Sequence, residues 1–411
     1  IVLGRDIRLS SAELAAAVFS GITDAGCDVI DIGLGGTEMV YFATGHLGAD
    51  GGIMVTASHN PADYNGLKIV RSESRPVSVD TGLKDIRQLA ERDDRFSRDD
   101  KGIVDLALIT DTYCEKLLSY VDIDTLKPLK IVVNAGNGGA GQIVDKLEAK
   151  LPFDFVKIHH EPDGEFPNGV PNPMLEENRK PTAEAVSTNG ADFGIAWDGD
   201  FDRCFFFDEN GRFIEGYYIV GLLAGSQLAD HPDSAIIYDP RLTWNTVDTV
   251  SEHGGRPVQS KSGHSFIKET MRREDAIYGG EMSAHHYFRD FYYCDSGMIP
   301  WLLVAQIVSK SGQTLSSLVD DSMARHPSSG EINRQVVDTG AAIELFDRCY
   351  RSEAVSVDET DGISMEFDKW RFNLRASNTE PVIRLNVESR GNIALMEAKT
   401  EELLSKLDSL R

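Results

Sequence analysis

Short apolar runs alternate with stretches of helical periodicity along most of this chain. Ile1-Val2-Leu3, Asp28-Val29-Ile30-Asp31-Ile32, Ile53-Met54-Val55 and Lys130-Ile131-Val132-Val133 have strand length. So do Phe193-Gly194-Ile195-Ala196-Trp197 and Ala235-Ile236-Ile237-Tyr238. Helix signals fall between them. Ser10 with Glu13 reads as a capping box opening a helix toward Cys27. Further helices are expected near Glu38 to His46, Gln142 to Lys150 and Ser265 to Arg273. Such alternation predicts parallel βαβ units. The pattern changes after His326-Pro327-Ser328-Ser329-Gly330, and the chain ends in an amphipathic helix with Met396, Leu403, Leu404 and Leu407 on one face.

A chain of 411 residues exceeds what one hydrophobic core supports, so several domains are expected. Its 41% hydrophobic and 26% charged residues fit a globular protein. The net charge of -25 argues against nucleic acid or an anionic membrane as partner. Any anionic ligand must then be met by locally focused basic groups. Cys27, Cys114, Cys204, Cys294 and Cys349 are scattered and lack C-x-x-C spacing, which fits reduced thiols in a cytoplasm. No apolar run reaches the roughly 20 residues of a membrane span, and no signal peptide is visible.

Two loops carry the chemistry. Ile53-Met54-Val55 breaks into Thr56-Ala57-Ser58-His59-Asn60-Pro61. Pro61 keeps Asn60 out of helical geometry. A hydroxyl and an imidazole are thus held at the carboxyl end of a strand, where open α/β sheets bind ligands. An ordinary strand-to-loop junction is the plainer reading. The second loop, Asp198-Gly199-Asp200-Phe201-Asp202-Arg203, sets three carboxylates at alternate positions between apolar runs. A divalent cation would relieve their repulsion, and oxygen ligands suit Mg²⁺ or Ca²⁺. Three other readings stand beside this one: an EF-hand, which Arg203 at the sixth position opposes; a solvated acidic turn; and an aspartyl nucleophile at Asp198. Gly136-Asn137-Gly138-Gly139-Ala140-Gly141 matches G-x-G-x-x-G, with Glu161 near the position of a ribose-binding acid. A lone match of this kind is weak, and a tight glycine turn for helix-on-sheet packing is the preferred reading.

At these residues the chain resembles the α-D-phosphohexomutases. Thr56–Pro61 resembles their phosphoserine loop and Asp198–Arg203 their metal loop. Gly280-Glu281-Met282-Ser283-Ala284-His285 resembles the sugar-binding loop, and Arg375-Ala376-Ser377-Asn378-Thr379-Glu380-Pro381 the phosphate-binding loop. All four occur in family order, and Tyr278 to Pro300 is especially similar to the bacterial phosphomannomutase branch. The resemblance implies three similar α/β domains with mainly parallel sheets plus a smaller C-terminal α+β domain. The expected divisions are 1–103, 104–209, 210–326 and 327–411. The family also opens with an aromatic-Asp-Ile-Arg-Gly segment that precedes the strand at Ile1, so domain one is expected to be N-terminally incomplete.

The implied activity is reversible interconversion of hexose 1-phosphate and hexose 6-phosphate, mannose phosphates first, through a phosphoserine and a bisphosphorylated sugar. Ser58 would carry the phosphoryl group, and Ser58, Asp198, Asp200 and Asp202 would hold Mg²⁺. Hexose 1,6-bisphosphate would be intermediate and activator. Lys68 would act as general acid/base with a lowered pKa. His59 is an alternative proton carrier or orders the loop. Arg8 approaches the transferred phosphate or makes an ion pair. Glu281, Ser283 and His285 would contact the sugar, with Lys261 and Arg203 as further basic groups. Arg375, Ser377, Asn378, Thr379 and Arg384 would cradle the phosphate that is not reacting. The expected partners are small sugar phosphates, with no nucleic acid and no membrane, and the expected state is a monomer or weak homodimer. Two rivals remain: an aspartyl-phosphate phosphatase or mutase using Asp198, and a non-catalytic sugar-phosphate binder.

Overall fold

A computed structural model describes residues 1–92, 96–377 and 382–410. The chain forms two compact units: residues 1–214 with 283–315, and residues 215–282 with 316–411.

The first unit holds two five-stranded sheets. In the first, the strand order is Leu67–Arg71, Gly51–Val55, Val2–Arg5, Val29–Leu34, Val104–Leu106. All pairs are parallel except Gly51–Val55 with Leu67–Arg71. Helix Thr37–His46 packs on this sheet, and Thr37 to Thr44 are buried without interruption. A helix apolar on nearly every side shows no amphipathic stripe because it is surrounded. In the second sheet, strands Lys130–Asn134, Asp154–Ile158 and Phe193–Trp197 are parallel. Cys204–Phe207 and Phe213–Ile214 continue it antiparallel. A short hairpin, His286–Phe288 with Cys294–Asp295, also belongs to this unit.

In the second unit, strands Ala235–Tyr238, Arg256–Gln259 and Tyr278–Gly280 pair in parallel. The final sheet runs Ser328–Gln335, Val382–Ser389, Trp370–Ala376, Ile363–Glu366, Ser356–Asp358 and is wholly antiparallel. Phe346, Phe372, Leu385, Leu403 and Leu407 close its core, and Leu404 packs at the margin. Each such fully buried side chain contributes about 1.5–3 kcal/mol.

The expected capping box does not form. Helix Ser11–Asp24 starts after Ser10, but Ser10 is itself helical in φ and ψ and caps no N–H. Its Oγ instead accepts from Asn65 Nδ2 at 2.9 Å. All five cysteines are free thiols. Among the described residues no helix is long and apolar enough to cross a membrane.

Candidate active site

Strand Gly51–Val55 returns as the antiparallel Leu67–Arg71, and the serine loop spans the gap. Ser58 lies in left-handed backbone at φ 51. A non-glycine residue there costs about 1–2 kcal/mol and must be held in place. Arg8 holds it. The buried guanidinium donates to the carbonyls of Ser58 (2.8 Å), Asn60 (2.6 Å), Pro61 (2.6 Å) and Tyr64 (3.1 Å). Asp6 balances its charge at 3.3 Å, and the ring of Phe166 lies 5.4 Å away. Arg8 therefore spends its donors on the serine loop. Of the two roles expected for Arg8, the ion pair is the one formed here, with Asp6 as its partner.

The acidic loop joins strands Phe193–Trp197 and Cys204–Phe207, whose register closes at Trp197 and Cys204. Gly199 packs against the Ser58 carbonyl, where an added Cβ would come within 2.7 Å. Gly138 lies equally close to the Gly199 carbonyl. The glycine motif thus forms a thin platform under the acidic loop, and Glu161 meets Asn137 through its backbone carbonyl. That arrangement is the packing role, not a nucleotide site.

Ser58 Oγ donates to Asp198 Oδ2 at 2.8 Å across 140 positions of sequence. Carboxylate oxygens of Asp198, Asp200 and Asp202 lie within 4.8 Å of one another, and all three residues are buried. Asp200 Oδ1 and Asp202 Oδ1 have no hydrogen-bond partner among the described residues. A hard divalent cation fits this set: clustered carboxylates, a hydroxyl beside them, and buried oxygens lacking donors. Arg203 donates to Asp198 Oδ2 through Nε (2.8 Å) and Nη2 (2.7 Å), and Nη2 also meets His59 Nδ1. Ser58 Oγ lies 3.1 Å from that same nitrogen.

The electrostatics follow from this crowding. Burial pushes Asp198 up to about 6, with Asp202 and Asp200 adding to the rise and Arg203 and Lys68 opposing it. Arg203, then burial, push His59 down to about 3, so the imidazole is neutral. Lys68 Nζ lies 2.7 Å from Asp200 Oδ2 and 2.5 Å from Asp202 Oδ2. Burial acts to lower Lys68, but these carboxylates outweigh it and hold the ammonium well above its usual range. The expected lowering is thus reversed, because its neighbours are anions. Burial likewise opposes Asp202, yet Lys68, His285 and Arg203 hold it well below the carboxylate range. His285 Nε2 lies 3.6 Å from Asp202 Oδ1, and Ser283 Oγ 3.5 Å from His285 Nδ1.

The second unit gathers the other expected residues. Glu281 accepts from the Gly263 amide at 2.9 Å and from Arg241 at 3.2 Å. Arg241 is also forked onto Asp239 at 2.8 and 3.0 Å. Glu331 draws together Arg375 (2.9 Å), Arg384 (3.4 Å) and Arg241 (3.7 Å). Ser377 closes the strand end through its amide to Val382. Lys261 is exposed, with its amine 5.1 Å from the Phe266 ring. Asn378 and Thr379 lie outside the described residues.

Four family descriptions match the chain in order. Phosphoglucomutase/phosphomannomutase alpha/beta/alpha domain I covers residues 1–96, domain II 111–211, domain III 215–326, and the C-terminal domain 331–405. The chain belongs to the phosphoglucomutase/phosphomannomutase family. It is 60% identical over 416 residues to a phosphomannomutase of Salmonella montevideo, covering 100% of this chain and 91% of that protein. It is also 60% identical over 407 residues to a protein of Xanthomonas campestris pv. campestris called "Phosphohexose mutases", covering 99% and 91%. A crystal structure of a family member from Burkholderia thailandensis superposes with a TM-score of 0.87 at 30% identity, covering 100% of this chain and 89% of that one.

Within this family member, several site neighbours escaped sequence reasoning. Thr37 meets Asp200, and Glu38 receives Tyr113, Ser296, Gly297 and Met298. A threonine after Gly35-Gly36, at a strand's carboxyl end, was the available signal for Thr37. Glu331 and Arg241 carried none, since a single charged residue beside a strand is commonplace.

Proposed function

We propose that this chain is a phosphohexomutase that interconverts hexose 1-phosphate and hexose 6-phosphate, with mannose phosphates as its principal substrates. The observation that carries the reading is the 2.8 Å approach of Ser58 Oγ to Asp198 within a buried trio of carboxylates. The 60% identity to a phosphomannomutase supports mannose.

Asp198, Asp200 and Asp202 would hold Mg²⁺, which when bound neutralises the charge on a phosphoryl group carried by Ser58. Ser58 gives that group to a sugar hydroxyl. Its P–Oγ bond breaks as the P–O bond to the sugar forms. Lys68, held as an ammonium, gives a proton to the departing Ser58 Oγ, and the proton leaving the sugar hydroxyl restores that ammonium. His59 stays neutral and accepts from Arg203, so its part is to order the serine loop. The bisphosphorylated sugar then returns its other phosphoryl group to Ser58. Arg375, Ser377, Asn378, Thr379 and Arg384 bind the phosphate that is not reacting, while Glu281, Ser283 and His285 address the sugar.

An aspartyl nucleophile is less well supported. Asp198 Oδ2 takes two hydrogen bonds from Arg203 and a third from Ser58, so that oxygen is committed as an acceptor. The test is a coupled assay of mannose 1-phosphate to mannose 6-phosphate with bisphosphate activator, run beside peptide mapping of the phosphorylated protein. Ser58→Ala is expected to abolish turnover and labelling together. Retained turnover, or phosphate on the Asp198 peptide, would overturn the assignment.

A further inference from the structure

Asp200 is held from outside its own loop by Thr37 and Lys68. The fully buried Thr37 grips it at two points. The Thr37 amide donates to the Asp200 carbonyl at 3.1 Å, and the Thr37 hydroxyl donates to Asp200 Oδ2. Thr37 opens helix Thr37–His46, so its amide is one of the donors that a helix leaves without an intrahelical acceptor. The acidic loop supplies that acceptor.

The approach depends on the residue before. Gly36 is extended at φ -111, ψ 170. A Cβ there would meet the Phe201 ring and come within 2.6 Å of the Asp200 carbonyl. The glycine lets the helix start lie directly against the loop backbone.

The two oxygens of Asp200 are consequently unlike. Oδ2 takes the Thr37 hydroxyl and the Lys68 ammonium. Oδ1 is buried and has no hydrogen-bond partner among the described residues. Two donors on one oxygen fix the plane of the carboxylate and so the direction in which the other oxygen points; a partial rotation would break the Thr37 bond. We infer that Thr37 is a positioning residue: it fixes the Asp200 carboxylate so that Oδ1 is the oxygen presented to the divalent cation. This rests on the reading of Asp198, Asp200 and Asp202 as the metal trio. Outer partners of this kind typically alter metal affinity 10–100-fold.

The test measures Mn²⁺ binding to the whole, dephosphorylated chain by electron paramagnetic resonance, with no substrate present. Thr37→Val removes the hydroxyl at nearly constant volume and is expected to weaken Mn²⁺ about 10–100-fold. Thr37→Ser keeps the donor and should stay within about threefold of the parent. In an Asp200→Asn background, Thr37→Val should add little further loss, because the carboxylate it orients is gone. Melting in EDTA reports folding; if the valine variant does not fold, Thr37→Ala takes its place with the same expected loss. Mn²⁺ affinity of Thr37→Val or Thr37→Ala equal to the parent overturns the inference. A parent chain that binds no Mn²⁺ overturns the metal trio itself, which is a different failure.

Discussion

Lys68 Nζ lies 2.5 Å from Asp202 Oδ2 and 2.7 Å from Asp200 Oδ2. The ammonium thus shares two carboxylates with the proposed cation. It both supplies a proton and competes for charge. Lys68→Met should separate these roles. Turnover is expected to fall about 10²–10⁴-fold with loss of the proton carrier, while Mn²⁺ binding is unchanged or tighter. Parallel loss of Mn²⁺ binding and turnover would show that Lys68 acts only by shaping the trio.

Arg8 gives a prediction of the opposite kind, in which structure fails before chemistry does. Its guanidinium makes four hydrogen bonds to the carbonyls of residues 58 to 64. Bonds to a charged donor contribute about 1.5–3 kcal/mol each, and their loss would release the loop these carbonyls belong to. Lysine cannot reproduce the planar fork. Arg8→Lys is therefore expected to cut kcat at least about tenfold and to speed hydrogen exchange in residues 56–66, with Mn²⁺ binding retained. Unchanged exchange in that loop would refute the clamp.

The contrast between these two basic residues shows how far the sequence could be read. Ser58 and the three aspartates were visible because each sits where an apolar run stops abruptly, and a strand's carboxyl end is a constrained place. The alternation of runs gave the parallel sheets for the same reason. The role of Arg8 was hidden because Gly4-Arg5-Asp6-Ile7-Arg8 shows only that a cation follows a strand, whereas its acceptors are backbone carbonyls some fifty residues away. Carbonyls have no sequence signature. The Lys68 pKa was misjudged because neighbours 132 and 134 positions distant set its sign. The Ser10 cap failed because Ser10 is itself helical and its hydroxyl is taken by Asn65, which is distant in sequence.

Glu38 links pH to stability. It is fully buried, and burial pushes it up to about 8 despite hydrogen bonds from Tyr113, Ser296, Gly297 and Met298. The unfolded group titrates near 4.5. Between those values the folded state keeps a proton that the unfolded chain has lost. Stability from this group is therefore full below about 4.5 and is lost as pH rises through about 8. Melting temperatures at about pH 6.5 and about pH 9 should show the parent losing more than Glu38→Gln across that interval. The variant should also start lower, by ~1–3 kcal/mol, because its amide brings two hydrogens among donating groups where the protonated carboxyl brings one. Equal slopes for the two proteins would exclude Glu38 as the titrating group.

Glu331 is the corresponding keystone of the second unit. Burial would raise its pKa, but Arg241, Arg375 and Arg384 outweigh burial and hold it below the usual carboxylate range. The same carboxylate neutralises the two guanidiniums assigned to the non-reacting phosphate, so it occupies them as an anion would. Two opposed effects should follow from Glu331→Gln. Removing one partner of a buried ion cluster destabilises the fold, by ~3–5 kcal/mol for a well-buried pair. The freed guanidiniums should meanwhile bind anions more tightly, so inorganic phosphate is expected to become a stronger competitive inhibitor. Melting temperature and the phosphate inhibition constant measure the two separately. A lowered melting temperature with weaker phosphate inhibition would mean that Glu331 orients Arg375 and Arg384 rather than competing for them.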